Sequence, residues 1–205
     1  TVNRIEDYLI CFKKFYNLGD YITINISSPN TENLRNFHNK TELEELLEAI
    51  QSEKMKLDTT IPIAVKISPN IENNKIEIIA EILKKYSVDI LIVSNTSDKN
   101  RENLKNIQKF EKGGLSGKPL EDKSNFLINK FYKILKNKTK IIGVGGVSNG
   151  NDAFEKIARG ATLVQLYTGM VYRGPSIARK ISNELIILLK NKGFKNVSEA
   201  IGTKN

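Results

Sequence analysis

The chain is poor in the side chains from which self-contained catalytic centres are built. It has one cysteine and one histidine in 205 residues. A single cysteine excludes an internal disulfide and a cysteine-based zinc site. Cys11 stands among Leu9, Ile10 and Phe12, which predicts a buried helical position. The lone histidine, His38, speaks against a His-dependent triad. It falls in a polar loop, residues 33–40, and is expected at the surface or as loop structure rather than as a ligand. No apolar run approaches the roughly 18–20 residues that span a bilayer. Residues 1–7 lack the apolar core of a signal peptide. There is no initiator Met and a helical pattern starts almost at once, so the start of a longer protein is expected to be missing.

Charge is the first thing present in excess. Lys and Arg number 32 against 23 Asp and Glu, a net charge of +9. Such a balance fits a nucleic-acid or anionic-membrane partner. It equally fits a lysine-rich composition spread over solvated helix faces. Lys13, Lys14, Lys84, Lys85, Lys136, Lys138 and Lys140 are scattered over several helical patterns and their ends. No basic stripe interleaved with aromatics occurs, so solvated faces are the better reading and no nucleic-acid partner is expected.

With 40% hydrophobic residues the chain can build a substantial core. Short β-branched runs at 21–26, 61–67, 90–94, 140–143 and 162–167 read as strands buried on both faces. Helical patterns lie between them. Residues 41–54 carry Leu43, Leu46, Leu47 and Ile50 at spacings of three and four, and Thr41 with Glu44 has the form of a capping box. Residues 76–86 and 124–135 repeat the pattern. A short helix at 152–159 is closed by Gly160, and Pro175 is placed to open a last helix ending near Gly193. A helix followed by five strand–helix units predicts a single α/β domain with a parallel sheet and right-handed crossovers. Two architectures satisfy this: a doubly wound open sheet, or the C-terminal part of a (β/α)8 barrel, whose complete form takes roughly 250 residues.

The barrel is favoured by two loops near the end. Gly143-Val144-Gly145-Gly146-Val147-Ser148 follows one strand, and Gln165-Leu166-Tyr167-Thr168-Gly169 ends the next. Barrels bind phosphate in the loops after their last two strands. One GxGG is no more than a turn signal; two such loops on consecutive strands favour an anion site. The other strands also end in polar groups. Asn25, Ser28 and Asn30 follow the first strand, and Ser94-Asn95-Thr96 the third. These could read a polar heterocycle or simply close Asx turns. Lys66 interrupts the second strand. It would face a cofactor anion or snorkel to water, and its position alone does not choose. Gly113-Gly114-Leu115-Ser116-Gly117-Lys118 is a glycine-rich loop that could cover a ligand or be merely mobile. In a barrel these ends converge on one face. The set holds no paired carboxylates, histidine or metal ligands, and such a site needs an organic cofactor for difficult chemistry.

In this order the motifs resemble a known family. Asn25-Ile26-Ser27-Ser28-Pro29-Asn30-Thr31, Leu34-Arg35, Val65-Lys66-Ile67, Ser94-Asn95-Thr96, residues 113–120, residues 143–148, Gln165-Leu166-Tyr167-Thr168 and Glu199-Ala200-Ile201-Gly202 are similar to the C-terminal two-thirds of class 2, quinone-dependent dihydroorotate dehydrogenases. The resemblance covers nearly the whole chain. It implies an FMN-containing barrel that oxidises dihydroorotate to orotate in pyrimidine biosynthesis and passes electrons to a quinone. It also implies peripheral attachment to a bacterial or mitochondrial inner membrane through an N-terminal region not in this sequence.

By position, Ser28 would be the base that removes the C5 proton, with hydride leaving C6 for the flavin. Asn25, Asn30, Asn95 and Thr96 match pyrimidine-binding residues, and Asn25 also lies near the flavin. Lys66, Ser94, Ser116 and Gly117 match flavin contacts. Gly145, Gly146, Tyr167 and Thr168 match the phosphate cradle.

Ser94 departs mildly from the threonine usual in the family. The larger departure is the absence of the quinone-tunnel helices, the first three barrel strands and part of the flavin and substrate sites. Taken alone, the chain is therefore expected to bind FMN poorly and turn over little. Alternatives are an inactive truncated fragment of the same enzyme and a related FMN barrel acting on another dihydropyrimidine. Ser28 opposes the latter, whose loop resembles a cysteine-based one.

Overall fold

The computed structural model describes residues 4–99 and 101–205. Five strands alternate with helices in the order α1 (Arg4–Phe15), β1 (Ile22–Asn25), α2 (Lys40–Lys56), β2 (Ile63–Ile67), α3 (Asn73–Lys85), β3 (Ile90–Val93), α4 (Glu121–Leu135), β4 (Lys140–Val144), α5 (Gly150–Ala158) and β5 (Leu163–Gln165). Three helices follow: α6 (Thr168–Arg173), α7 (Ile177–Asn191) and α8 (Val197–Ala200). All four strand pairings are parallel, and the spatial order is β1-β2-β3-β4-β5. A doubly wound sheet must reverse its strand order at a switch point. This sheet never does, so the order is that of a barrel segment. Four strand spacings of about 4.8 Å would hold the outer strands of a flat sheet roughly 19 Å apart. Yet Gln165 at the end of β5 donates to the hydroxyl of Tyr21, just before β1, at 3.2 Å. The sheet is therefore strongly curled.

Strand alternation sends the apolar residues to two places. Ile63, Val65 and Ile67 of β2, Leu91 and Val93 of β3, and Ile141 of β4 share one core with α2, α3 and α4, where Leu43, Leu46, Leu47, Ile50, Ile79, Leu83, Leu127, Ile128 and Phe131 are fully buried. The alternate residues Ala64, Ile92 and Ile142 form a separate small cluster on the inner face. Lys66 belongs to that inner face by the same alternation. Each large aliphatic side chain taken from water contributes about 1.5–3 kcal/mol, so the helix-side layer dominates stability. A smaller core joins α5, α7 and α8 through Phe154, Ile157, Leu189 and Ala200.

The strands and main helices lie where their periodicity predicts, with shifted ends. The Thr41–Glu44 capping box is not formed, because α2 already starts at Lys40 with Asn39 as its cap residue. Helix α5 starts at Gly150, with the Asn149 side chain accepting from Asp152 N–H at 2.9 Å. Pro175 stands before α7 rather than within it. Residues 168–173, where no helix was expected, form α6. Two single-residue expectations are overturned. Cys11 is exposed, because the inward stripe of α1 runs through Ile5, Tyr8, Leu9 and Phe12 and leaves Cys11 beside it. His38 is buried, 6% exposed, and ends a short 3-10 turn, Leu34–His38.

Among the described residues no helix is long and apolar enough to cross a membrane, and no group of three or more His, Cys, Asp or Glu is placed to hold a metal ion.

Candidate active site

Parallel register levels the strand ends. Asn25 pairs with Lys66, Lys66 with Ile92, Val93 with Gly143, and Val144 with Gln165. The residues that follow each strand therefore meet at one end of the sheet. A cavity of about 820 Å³ opens there, within the usual size of small-molecule and cofactor sites. It is lined by Lys66 from β2, Ser94, Asn95 and Thr96 after β3, Ser116 and Gly117 of the glycine-rich loop, Gly145 and Gly146 after β4, and Tyr167 and Thr168 after β5.

The polar groups are tied together. The Asn25 carboxamide oxygen accepts from Ser27 Oγ at 2.9 Å and from Asn95 Nδ2 at 3.3 Å, and Asn95 Nδ2 also donates to Ser27 Oγ at 2.9 Å. Asn95 Oδ1 accepts from the Thr96 N–H at 2.7 Å. The amides after β1 and β3 are thus oriented by each other. On the far side, Thr168 Oγ1 donates to Ser116 Oγ at 2.8 Å and joins the glycine-rich loop to the start of α6. Lys66 makes no ion pair among the described residues, and burial pushes its ammonium below the ordinary lysine range. A half-buried cation without a counter-ion, on the wall of a cavity, is set up to meet an anionic or electron-rich ligand edge.

Glycines make the cradle possible. Gly145 and Gly146 have φ of 118° and 77°, where L side chains are strained. A Cβ on Gly146 would stand 2.5 Å from Glu121 Cβ, and one on Gly114 would overlap Thr96 Oγ1. Both loops therefore approach their neighbours by backbone alone. Asp152, in the first turn of α5, accepts from Ser148 N–H at 2.9 Å and Ser148 Oγ at 2.8 Å, which fixes the far end of the Gly145–Ser148 loop. Burial works to raise the Asp152 pKa, but these bonds and Lys118 hold it below the usual carboxylate range.

Ser28, Asn25 and Asn30 do not line this cavity. Asn25 reaches it through Asn95. Ser28 is half-buried, and its Oγ accepts from the Asn30 N–H at 3.2 Å. Asn30 and Pro29 border a second, shallower cleft with Asp98, Arg101 and Phe110. A Cβ on Gly114 would lie 3.2 Å from Pro29 Cγ, so the Ser28 loop abuts the cavity rim there. Arg35 holds that loop: it donates to Ser27 O at 3.4 Å and pairs with Asp98 at 2.8 Å, while Asn70 also donates to Asp98 at 2.7 Å.

Reading the sequence missed several residues. Ser27, fully buried, is the hub of the amide cluster. Lys118 and Arg173 add cations to the lining. Lys118 lay within the glycine-rich loop and could have been found there; Arg173 carried no signal, because α6 was unrecognised. The set present suits a planar polar heterocycle bearing a phosphate: amides and hydroxyls for its edges, a lysine for electron-rich positions, and glycine backbone for the anion. Flavin mononucleotide has that chemistry.

Comparison with known proteins agrees with this geometry. Residues 1–189 match the family described as Dihydroorotate dehydrogenase. The chain is 44% identical over 183 residues to Dihydroorotate dehydrogenase (quinone) of Nitrosomonas europaea, covering 87% of this chain and 53% of that protein. It is 41% identical over 204 residues to the mitochondrial quinone enzyme of Mus musculus, covering 98% of this chain and 52% of that one. The crystal structure of ligand-free DHODH from Eimeria tenella superposes with a TM-score of 0.96 at 35% identity, over 100% of this chain and 61% of that chain. The chain spans about half the length of the curated relatives it matches. From its ordered motifs, its barrel-type strand order and these matches, the chain belongs to the dihydroorotate dehydrogenase family, in its quinone-type branch.

Proposed function

We propose that this chain supplies the C-terminal part of an FMN-dependent barrel that oxidises dihydroorotate to orotate, with a quinone as electron acceptor. The observation that carries the reading is the convergence of Lys66, the Asn25–Ser27–Asn95 cluster and two glycine-bearing loops around one end of a parallel sheet. Bound FMN would supply the hydride acceptor. The chain's own residues do the rest. Asn25, Asn30, Asn95 and Thr96 bind the pyrimidine by its amide edges. Ser28 takes the C5 proton; as a free serine is a poor base at neutral pH, it passes that proton to a relay or water. The Ser28 hydroxyl accepts from Asn30 N–H, which leaves its own proton available for that relay. Lys66 holds positive charge against the flavin's pyrimidine edge. Ser94, Ser116 and Gly117 would contact the flavin, and Gly145, Gly146, Tyr167 and Thr168 would hold its phosphate. The quinone is carried over from the names of the relatives, and a peripheral membrane location from the family resemblance.

An FMN titration of the purified chain, followed by flavin fluorescence, tests the reading. Weak saturable binding is expected, reduced about tenfold or more in Lys66→Met by loss of a charge-assisted contact. Absence of saturation up to millimolar FMN, or binding indifferent to that substitution, refutes it.

A further inference from the structure

Lys156 on α5 has 0% of its surface exposed. Its stem runs across β4 at Gly143, where a Cβ would stand 3.0 Å from Lys156 Cδ and 3.2 Å from Ala161 Cβ. The glycine at 143 therefore keeps a passage open for the lysine. The ammonium donates to Ser124 Oγ and to Asn125 Oδ1 on α4, both at 3.0 Å. Ser124 Oγ in turn lies 2.7 Å from the Val144 carbonyl and 3.2 Å from that of Val93. Those are the last carbonyls of β4 and β3. The next residues, Gly145 and Ser94, line the candidate site.

The charge is hydrogen-bonded but makes no ion pair among the described residues. Its partners are a hydroxyl and a carboxamide. The charged groups around it are Glu121 at the start of α4, Lys118 just before it, and Asp152 and Arg159 on α5. Both acids are already engaged by Lys118. Burial, only partly opposed by Glu121 and Asp152, pushes the Lys156 pKa down to about 8. A buried cation without a counter-ion is costly in a fold, and this one backs the strand ends on the side opposite the cavity.

We infer that Lys156 is a positioning residue of the anion cradle: through Ser124 it braces the end of β4 that leads into Gly145–Gly146, and its charge favours a phosphate there. This rests on the flavin reading above and adds a residue that does not touch the ligand. Because the effect is electrostatic, it acts on the phosphate and not on the ring. Two dissociation constants separate these, one for FMN and one for riboflavin, which has no phosphate.

In Lys156→Met, FMN binding is expected to weaken about tenfold, as for a unit charge acting across a partly screened interior, while riboflavin binding stays within about twofold. In the unaltered chain, FMN affinity falls as pH rises through about 8 and riboflavin affinity does not. That series needs no variant and stands even if Lys156→Met does not fold. Equal losses for both ligands, an unchanged FMN constant in a folded variant, or an FMN affinity flat from pH 7 to 9.5 overturns the inference alone. An unaltered chain that binds neither ligand overturns the flavin reading and this inference with it.

Discussion

Protonation of His38 should cost the fold about 3 kcal/mol, and the chain has no other histidine to obscure it. The ring is clamped in one tautomer. Nδ1 lies 2.9 Å from the Arg35 carbonyl and must donate to it, so Nε2 is left to accept from Ser68 N–H at 3.1 Å. A second ring proton would set two N–H donors against each other. Burial lowers the His38 pKa from 6.5 to about 4, with the Arg35 carbonyl working to raise it and the charges of Arg35 and Lys75 adding to the fall. The folded state thus holds His38 neutral, while the unfolded chain takes up a proton below 6.5. The contribution is fully present above pH 6.5, declines as pH falls, and is lost below about 4. At pH 4.5 the loss is about 2.5 kcal/mol relative to neutral pH. Urea unfolding of the chain and of His38→Gln at pH 7.5 and 4.5 isolates it, because carboxylates titrate in both proteins and cancel in the comparison. The difference between the two pH sensitivities should be about 2.5 kcal/mol. Proton NMR of the single imidazole should show a midpoint near 4. A midpoint near 6.5, or parallel pH profiles for the two proteins, would show that the Arg35–His38–Ser68 bridge does not form.

Two further substitutions probe the cradle and the core. Gly146→Ala forces a Cβ onto a backbone at φ 77° and to 2.5 Å from Glu121 Cβ. It should cost about 1–2 kcal/mol in unfolding free energy and weaken FMN binding as α4 is pushed back; a neutral effect on both would mean that the loop is not held against α4. Phe131→Ala removes a fully buried ring between β-sheet and helices. It should cost about 3–5 kcal/mol by chemical denaturation, against less than about 0.5 kcal/mol for exposed Met55→Ala. Equal small effects would place Phe131 outside the core.

The loop after β1 owes its placement to several weak ties rather than one strong one. Arg35 reaches Ser27 O and Asp98, Asn70 joins Asp98, and His38 accepts from Ser68 N–H just after β2. The Arg35–Asp98 pair is partly solvent-exposed, and such pairs contribute little singly. Their value is geometric: they register the Ser28 loop against the loops after β2 and β3.

The sequence by itself determined the alternation of strands and helices, which faces are apolar, and the order of the motifs. These follow from local periodicity, and periods of 2 and 3.6 residues survive in one dimension. Even there, helix ends moved by a few residues: Asn39 rather than Thr41 stands at the start of α2, and its side-chain oxygen accepts from Lys75 Nζ of α3 instead of a helix N–H. Tertiary structure alone decided which polar residues are buried. His38 sits in a hydrophilic stretch yet is enclosed, since its partners, Arg35 O and Ser68 N, come from either side of a whole helix. Cys11 has apolar neighbours yet is exposed, since the neighbouring stripe of α1 meets the core instead. Lys156 has no local mark of burial in the sequence, yet α4 and β4 enclose it completely. The barrel-type strand order, chosen over a doubly wound sheet, was likewise settled by pairing between segments distant in the chain. Burial and register are properties of what packs against a residue, and a string of neighbours along the chain does not contain them.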